Sequence, residues 1–144
     1  MQSVQQLRDE YRLKKRAVQA AVEASGPSTR GVRLALSRLS ALADDLLQTL
    51  WQQAGLAAGP FALVAGGGYG RGELFPHSDV DVLVLLPDER AHEHDSDLRS
   101  SIEGFIGSCW DTGLEIGSSV RTLSQCLSES QKDVTGTEIG RAHV

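Results

Sequence analysis

The sequence predicts an α/β (α+β) fold in which two N-terminal helices pack on a small sheet. Apolar stripes at helical spacing fill the first 55 residues, and short apolar runs bounded by glycine and proline follow between residues 61 and 123. The 144 residues suffice for one compact domain with its own core. The predicted order is helix, helix, strand, glycine turn, strand, helix, strand and helix, which is typical of a sheet covered by helices.

Each N-terminal helix is predicted from an apolar stripe that the sheet would bury. Within residues 4 to 24 the helical spacing is carried by Leu7, Tyr11, Val18 and Val22. The segment "SGPST" (25 to 29) ends this pattern, and Ser28 or Thr29 is suited to cap the next helix. That second helix ends near Gly55, and its stripe is the strongest in the chain: Val32, Leu36, Leu39, Ala43, Leu46, Leu47 and Leu50.

The rest of the chain alternates strands and helices. Residues 61 to 65 ("FALVA") and 80 to 87 ("VDVLVLLP") are predicted strands, and the second stops at its proline. A polar loop (88 to 97) leads to a third helix that Gly113 closes, with an apolar face formed by Leu98, Ile102, Phe105, Ile106, Cys109 and Trp110. Residues 114 to 123 are the third predicted strand, and Ser124 is suited to cap a last short helix.

Composition and charge narrow the classes of function. A formal charge of -5 argues against a nucleic-acid binder with a broad basic face, but not against an enzyme that holds a nucleotide through metal ions. Cys109 and Cys126 are the only cysteines and lack the spacing of a zinc site or a disulfide framework. The N-terminus has no signal-peptide core, and no apolar run is long enough to cross a bilayer. We therefore expect a cytoplasmic protein with no membrane or nucleic-acid partner.

The stretch "ALVAGGGYGRGELFPHSDVDVLVLLPD" (62 to 88) contains most of the predicted functional residues. Its glycines fit neither a P-loop, which needs Lys-Ser or Lys-Thr, nor the dinucleotide fingerprint GxGxxG. Glycines directly after a strand still let backbone N–H groups approach an anion. The predicted phosphate- and nucleotide-binding residues are Gly67, Gly68, Gly70, Arg71 and Ser78. Among them, we expect the serine mainly to orient the turn before the next strand.

Two aspartates, Asp79 and Asp81, follow this turn at the start of the second strand. Residues i and i+2 of a strand point to the same face about 7 Å apart, so these carboxylates converge on one site. Two carboxylates this close repel each other, and burying them uncompensated costs free energy. A divalent cation between them would neutralise their charge. Oxygen ligands favour Mg²⁺ or Mn²⁺. We therefore predict both aspartates as metal ligands and catalytic residues.

The spacing of these residues is similar to a known signature. Gly67-Gly68, a ten-residue gap and "DVDV" (79 to 82) resemble the signature of the DNA polymerase β-like nucleotidyltransferase superfamily. The string "GGYGRGELFPHSDVDVLVLLP" (67 to 87) resembles the N-terminal domain of the bifunctional uridylyltransferase/uridylyl-removing enzymes that modify the nitrogen-regulatory PII protein. The resemblance extends to "LRDEYRLKKRAV" (7 to 18) and "FIGSCWDTGLEIGSSVRTLSQCL" (105 to 127). It implies a polymerase β-like fold with a small mixed sheet, and transfer of UMP from UTP to a tyrosine of PII with release of pyrophosphate.

The superfamily places a third carboxylate on a neighbouring strand, and Asp111 and Glu115 are the two candidates. Asp111 falls at the C-terminal end of the third predicted helix, where the helix dipole disfavours a negative charge. Glu115 shares a strand face with Gly117 and Arg121, and a small residue beside a charged one fits a face that opens onto a cleft. We predict Glu115 as the third catalytic residue and metal ligand, with an ordinary exposed glutamate as the alternative.

The sequence also departs from the family pattern. Ser118 stands where the family usually has histidine in "GHSVRT". The family enzymes are several times longer, with an HD domain that removes uridylyl groups and ACT domains that sense glutamine. We therefore expect a fragment, with a helical pair at 1 to 55 and a truncated nucleotidyltransferase core at 56 to 135, that is weakly active and prone to association. The last residues, "EIGRAHV" (138 to 144), match a translated sequencing adaptor, so we predict a non-native tail.

Three alternatives to this enzyme stay open. One is another nucleotidyltransferase of the same fold that transfers AMP to a different protein or to a small molecule. Another is a catalytically silent module that binds a nucleotide or a partner, although the intact glycine pair and both aspartates argue against it. The third is an inert fragment that folds incompletely.

Overall fold

The computed structural model describes residues 2–26, 28–72, 79–87, 96–132 and 139–141. It confirms the expected mixed α/β architecture. The helices and strands, in chain order, are α1 (Val4–Ser25), α2 (Thr29–Gln53), β1 (Ala62–Gly66), the single turn α3 (Gly67–Gly70), β2 (Val80–Leu86), α4 (Ser96–Asp111), β3 (Ile116–Thr122), α5 (Leu123–Lys132) and β4 (Ile139–Arg141). None of the described helices is both long enough and apolar enough to cross a bilayer.

Both N-terminal helices begin at a serine cap. At the start of α1, the Ser3 hydroxyl accepts a hydrogen bond from the Gln6 N–H at 3.1 Å, and the Gln6 side chain accepts one from the Ser3 N–H at 2.9 Å. At the start of α2, the Ser28 hydroxyl accepts from the Gly31 N–H at 3.0 Å. Of the two residues predicted to cap this helix, the structure therefore uses Ser28.

The stripe of α2 is buried only in its C-terminal part, from Leu39 onward. Val32, which the sequence pattern placed in the stripe, is 44% exposed. The residues of α2 that join the core begin at Leu39. Before that point, Leu34 and Ala35 line a cavity together with Val22 of α1.

The four described strands form one mixed sheet in the order β3-β2-β1-β4. The β1–β2 pair is antiparallel, with Ala65 opposite Val82, and the β2–β3 pair is parallel, with Val80 opposite Ile116. The parallel pair is connected through α4, as a crossover requires. The sequence patterns missed β4, whose three residues fall in the predicted tail and pair with the end of β1 across an irregularity. That the tail is non-native stays a prediction.

One face of the sheet packs against α2 and α4 and forms the core. The ring of Trp51 on α2 meets Phe105 on α4 edge to face, with ring centroids 5.2 Å apart. Buried side chains alternate along β2, where Val80, Val82, Val84 and Leu86 face the core. The intervening residues, beginning with Asp81, belong to the opposite face.

Three predictions for β3 and the helices on either side of it are wrong. The strand begins at Ile116 instead of residue 114, so Glu115 directly precedes it. Trp110, assigned to the apolar face of the third helix, is 53% exposed. The last helix is capped by Thr122 instead of Ser124: its hydroxyl accepts from the Gln125 N–H at 3.1 Å, and the Gln125 side chain accepts from the Thr122 N–H at 2.9 Å. The chain passes from β3 directly into α5, so the last strand residue is the cap.

Candidate active site

The sheet topology brings most of the predicted site residues to one end of the sheet. Because β1 runs antiparallel to β2, the glycine turn that follows β1 lies beside the start of β2, where Asp79 and Asp81 are found. Because β3 runs parallel to β2, Glu115 lies at the same end. Ser78 lies outside the described residues.

The Asp81 carboxylate lies between two glycines. A β-carbon on Gly67 would come within 2.8 Å of Asp81 Oδ2, and a β-carbon on Gly117 would come within 3.2 Å of Oδ1. Gly117 pairs directly with Asp81 across the parallel β2–β3 ladder, so both residues belong to the same face of the sheet. The Asp81 residue as a whole remains exposed. The two glycines therefore leave room for the carboxylate while solvent and ligands still reach it.

The glycine turn has a backbone conformation that favours glycine at its first residue. Gly67 has a φ of 59°, in the left-handed region. Two backbone hydrogen bonds close the turn: the Arg71 N–H donates to the Gly67 carbonyl at 3.2 Å, and the Gly72 N–H donates to the Tyr69 carbonyl at 2.9 Å. Arg71 is exposed at the end of the turn. Phosphate binding by Gly67, Gly68, Gly70 and Arg71 stays a prediction.

The three predicted carboxylates share this end of the sheet but are not gathered into a cluster. Asp79 and Glu115 are both exposed, each directly before its strand, and the Val80 N–H donates to the Glu115 carbonyl at 2.9 Å. Across the described parts of the chain, no three acidic, histidine or cysteine side chains come together as a metal-binding group. Asp111, the rejected candidate, is an exposed residue at the end of α4. The roles of these side chains therefore stay predictions.

The sequence patterns did not predict two features of the site. The first is the contact of Gly117 with the Asp81 carboxylate; the signal available was a glycine inside a strand pattern, which often marks a close approach. The second is a hydrogen bond from the Tyr69 hydroxyl to a carboxylate oxygen of Asp44 on α2. Tyr69 is buried, and no local pattern predicts a partner 25 residues away.

A family model described as a nucleotidyltransferase domain matches residues 46–133. The chain belongs to this nucleotidyltransferase family. The match includes the glycine turn, the start of β2 and the whole of β3, and it overlaps the core expected at 56 to 135. The expected enzyme class and the polymerase β-like fold are thereby confirmed.

Among curated proteins, this nucleotidyltransferase is similar to proteins named "Bifunctional uridylyltransferase/uridylyl-removing enzyme". The relatives from Burkholderia mallei strain SAVP1, B. mallei strain NCTC 10229 and B. pseudomallei strain K96243 are each 54% identical over 120 residues, which is 83% of this chain. The aligned part is 13% of each relative. The chain thus spans a small part of the length of the enzymes it matches, and the resemblance to this family is confirmed.

Proposed function

We propose that this chain carries the nucleotidyltransferase site of a PII uridylyltransferase, which transfers UMP from UTP to a tyrosine of PII and releases pyrophosphate. The observation that carries the proposal is the 54% identity over 120 residues to bifunctional uridylyltransferases. An aligned stretch of that length in a chain of 144 residues must include positions 25 to 120. The alignment therefore covers the glycine turn, both aspartates and Glu115.

The donor set at the site fits a divalent cation. Mg²⁺ is usually held by one or two carboxylates together with substrate phosphates and water, so a full protein cage is not required. Asp79 and Asp81 offer exposed oxygen ligands at the start of one strand, and Glu115 is exposed at the start of the neighbouring strand. When bound, Mg²⁺ or Mn²⁺ would neutralise charge on the triphosphate and on the departing pyrophosphate.

The chain's own residues have positioning roles in this proposal. Gly67 and Gly117 leave room for the Asp81 carboxylate on the sheet face, and the Gly67–Gly70 turn presents its backbone to the triphosphate. Arg71 adds a positive charge at the end of that turn. Nucleotidyl transfer depends mainly on such positioning and charge neutralisation.

The proposed transfer is direct and needs no covalent enzyme intermediate. The tyrosine oxygen of PII forms a bond to the α-phosphorus of UTP, and the bond between that phosphorus and the bridging oxygen to the β-phosphate breaks. Pyrophosphate leaves with the bonding electron pair, and the tyrosine proton passes to solvent.

The test supplies the purified chain with PII, Mg²⁺ and each of the four nucleoside triphosphates labelled on the α-phosphate. We expect label to pass to PII from UTP, and not to a PII variant whose acceptor tyrosine is replaced by phenylalanine. Asp79→Ala or Asp81→Ala should lower the rate to below about a tenth, since removing a metal ligand costs several kcal/mol. Transfer from ATP instead of UTP would identify a different nucleotidyltransferase. Nucleotide binding with no transfer from any of the four nucleotides would contradict the proposal and favour a silent module.

A further inference from the structure

The glycine turn is connected to α2 by a contact outside the predicted site. Tyr69, in the middle of the turn, is only 2% exposed, and its hydroxyl donates a hydrogen bond to Asp44. Asp44 is half-buried and follows the fully buried Ala43, so the helical backbone that carries it is anchored in the core. A buried ring alone needs only apolar packing. The hydrogen bond from the hydroxyl to the carboxylate also fixes the orientation of the Tyr69 side chain, because charge-assisted hydrogen bonds are stronger and geometrically more specific than neutral ones.

The same turn also contacts the Asp81 carboxylate. Gly67 lies two residues before Tyr69, and its backbone approaches Asp81 Oδ2 closely enough to exclude a β-carbon. The hydrogen bonds from the Arg71 N–H to Gly67 and from the Gly72 N–H to Tyr69 close the turn around the tyrosine. A displacement of the Tyr69 ring would therefore be transmitted to the Gly67 backbone.

We infer that Asp44 and Tyr69 form a positioning pair that holds the glycine turn in register with the Asp81 carboxylate. Neither residue touches the substrate in this arrangement; they act through Gly67. A misplacement of about 1 Å at a catalytic group can cost about a hundredfold in rate, so a hydrogen bond that fixes the turn has a kinetic effect larger than its effect on folding. The kinetic part of this inference rests on the proposed uridylyl transfer.

The first experiment is a double-mutant cycle on kcat/KM for UTP. Tyr69→Phe keeps the ring and removes the donor, and Asp44→Ala removes the acceptor. We expect each variant to lower kcat/KM about tenfold while the melting temperature changes by less than about 3 °C. The double variant should lose no more than either single variant, because both remove the same bond. Asp44→Asn keeps an acceptor oxygen and should stay within about threefold of the wild type.

The matched control is Asp45→Ala, which removes an equal charge from the next, exposed residue of the same helix. It should leave kcat/KM unchanged. An additive loss of about a hundredfold in the double variant would overturn the inference, because it would show that the residues act independently. A lower melting temperature with unchanged kcat/KM would also overturn it, because it would show a purely structural contact.

A second readout does not depend on uridylyl transfer. Amide hydrogen exchange of residues 67 to 72 should be about tenfold faster in Tyr69→Phe and in Asp44→Ala than in the wild type and in Asp45→Ala. Unchanged exchange overturns the positioning role whether or not the protein transfers UMP. Faster exchange in a protein that transfers no UMP contradicts the proposed function and leaves the Asp44–Tyr69 coupling supported.

Discussion

The Asp81 carboxylate and the Gly67 backbone lie closer together than any other residue type at position 67 would allow: a β-carbon there would come within 2.8 Å of Asp81 Oδ2. On the other side, Gly117 leaves the space that Oδ1 occupies. Phosphate binding by the glycines of the turn is a prediction. What the structure shows for Gly67 is that it makes room for a carboxylate of the neighbouring strand.

Replacing Gly67 by alanine should separate activity from stability. The left-handed φ of 59° makes alanine unfavourable by about 1–2 kcal/mol. The new methyl group would also displace the Asp81 carboxylate, the free end of a side chain that can rotate away at little further cost in stability. We expect Gly67→Ala to lower the rate of nucleotidyl transfer about a hundredfold. Gly72→Ala is the control, because its φ of 76° imposes a similar backbone cost and no atom of the described residues lies within 4 Å of the added carbon.

Urea unfolding should give similar losses of stability for these two variants, with the large loss of activity confined to Gly67→Ala. Equal losses of activity in both would show that the backbone conformation matters and the contact with Asp81 does not.

Gly117→Ala should reduce activity without a loss of stability. Its β-carbon would lie 3.2 Å from Asp81 Oδ1, so the carboxylate must shift by a few tenths of an ångström. Alanine inside a strand is favoured over glycine by about 0.5–1 kcal/mol, which offsets the crowding. We expect an unchanged or slightly raised unfolding midpoint and a kcat about tenfold lower. Gly107→Ala in α4, where the added carbon meets no described atom within 4 Å, should raise the midpoint and leave kcat unchanged.

The choice between the two candidates for the third carboxylate can be tested by charge-neutral variants. Glu115→Gln should lower the transfer rate at least tenfold and shift the Mg²⁺ dependence to higher concentration, because Glu115 directly precedes β3 beside the start of β2. Asp111→Asn, at the exposed end of α4, should leave both unchanged. The reverse pattern in steady-state assays across a Mg²⁺ titration would show that the assignment of Glu115 is wrong.

Stability should fall in alkaline solution because two buried acids resist ionisation. Burial raises the pKa of the Cys109 thiol from 9.0 to about 12 and that of the Tyr11 phenol from 10.0 to about 12. The unfolded chain releases these protons near the ordinary values, whereas the folded protein retains them. The two groups contribute fully to the free energy of unfolding below pH 9, and this contribution is lost as pH rises towards 12. The free energy of unfolding then falls by up to about 1.4 kcal/mol per pH unit for each group.

Urea unfolding at intervals between pH 8 and pH 11.5 measures this loss. Tyr11→Phe keeps the buried ring and removes one titrating group, so its unfolding free energy should fall less steeply above pH 10. An identical slope in the wild type and in Tyr11→Phe would contradict the role of the tyrosine.

Local patterns predicted α1, α2, α4 and the first three strands, although they missed β4. The apolar spacing of residues 4 to 24 predicted α1, and the position of the glycines directly after an apolar run predicted a turn at the end of β1. The predictions from local patterns were wrong where the outcome depends on an adjoining strand or helix. Ser124 looked like a cap, but the chain enters α5 directly from β3, so Thr122 takes that position. Val32 looked buried, but it is 44% exposed on the part of α2 that precedes the core residues.

By itself, the sequence was enough to predict a glycine turn followed by two aspartates on one strand face, because both are local features with local spacing rules. The tertiary structure alone decided that Gly67 and Gly117 approach Asp81 from two different elements, and that Tyr69 donates to Asp44. Those contacts depend on which strands pair, in which direction and in which register. Strand pairing is settled by burying the apolar faces of β1, β2 and β3 against α2 and α4, a property of the whole chain that no single stretch of residues encodes.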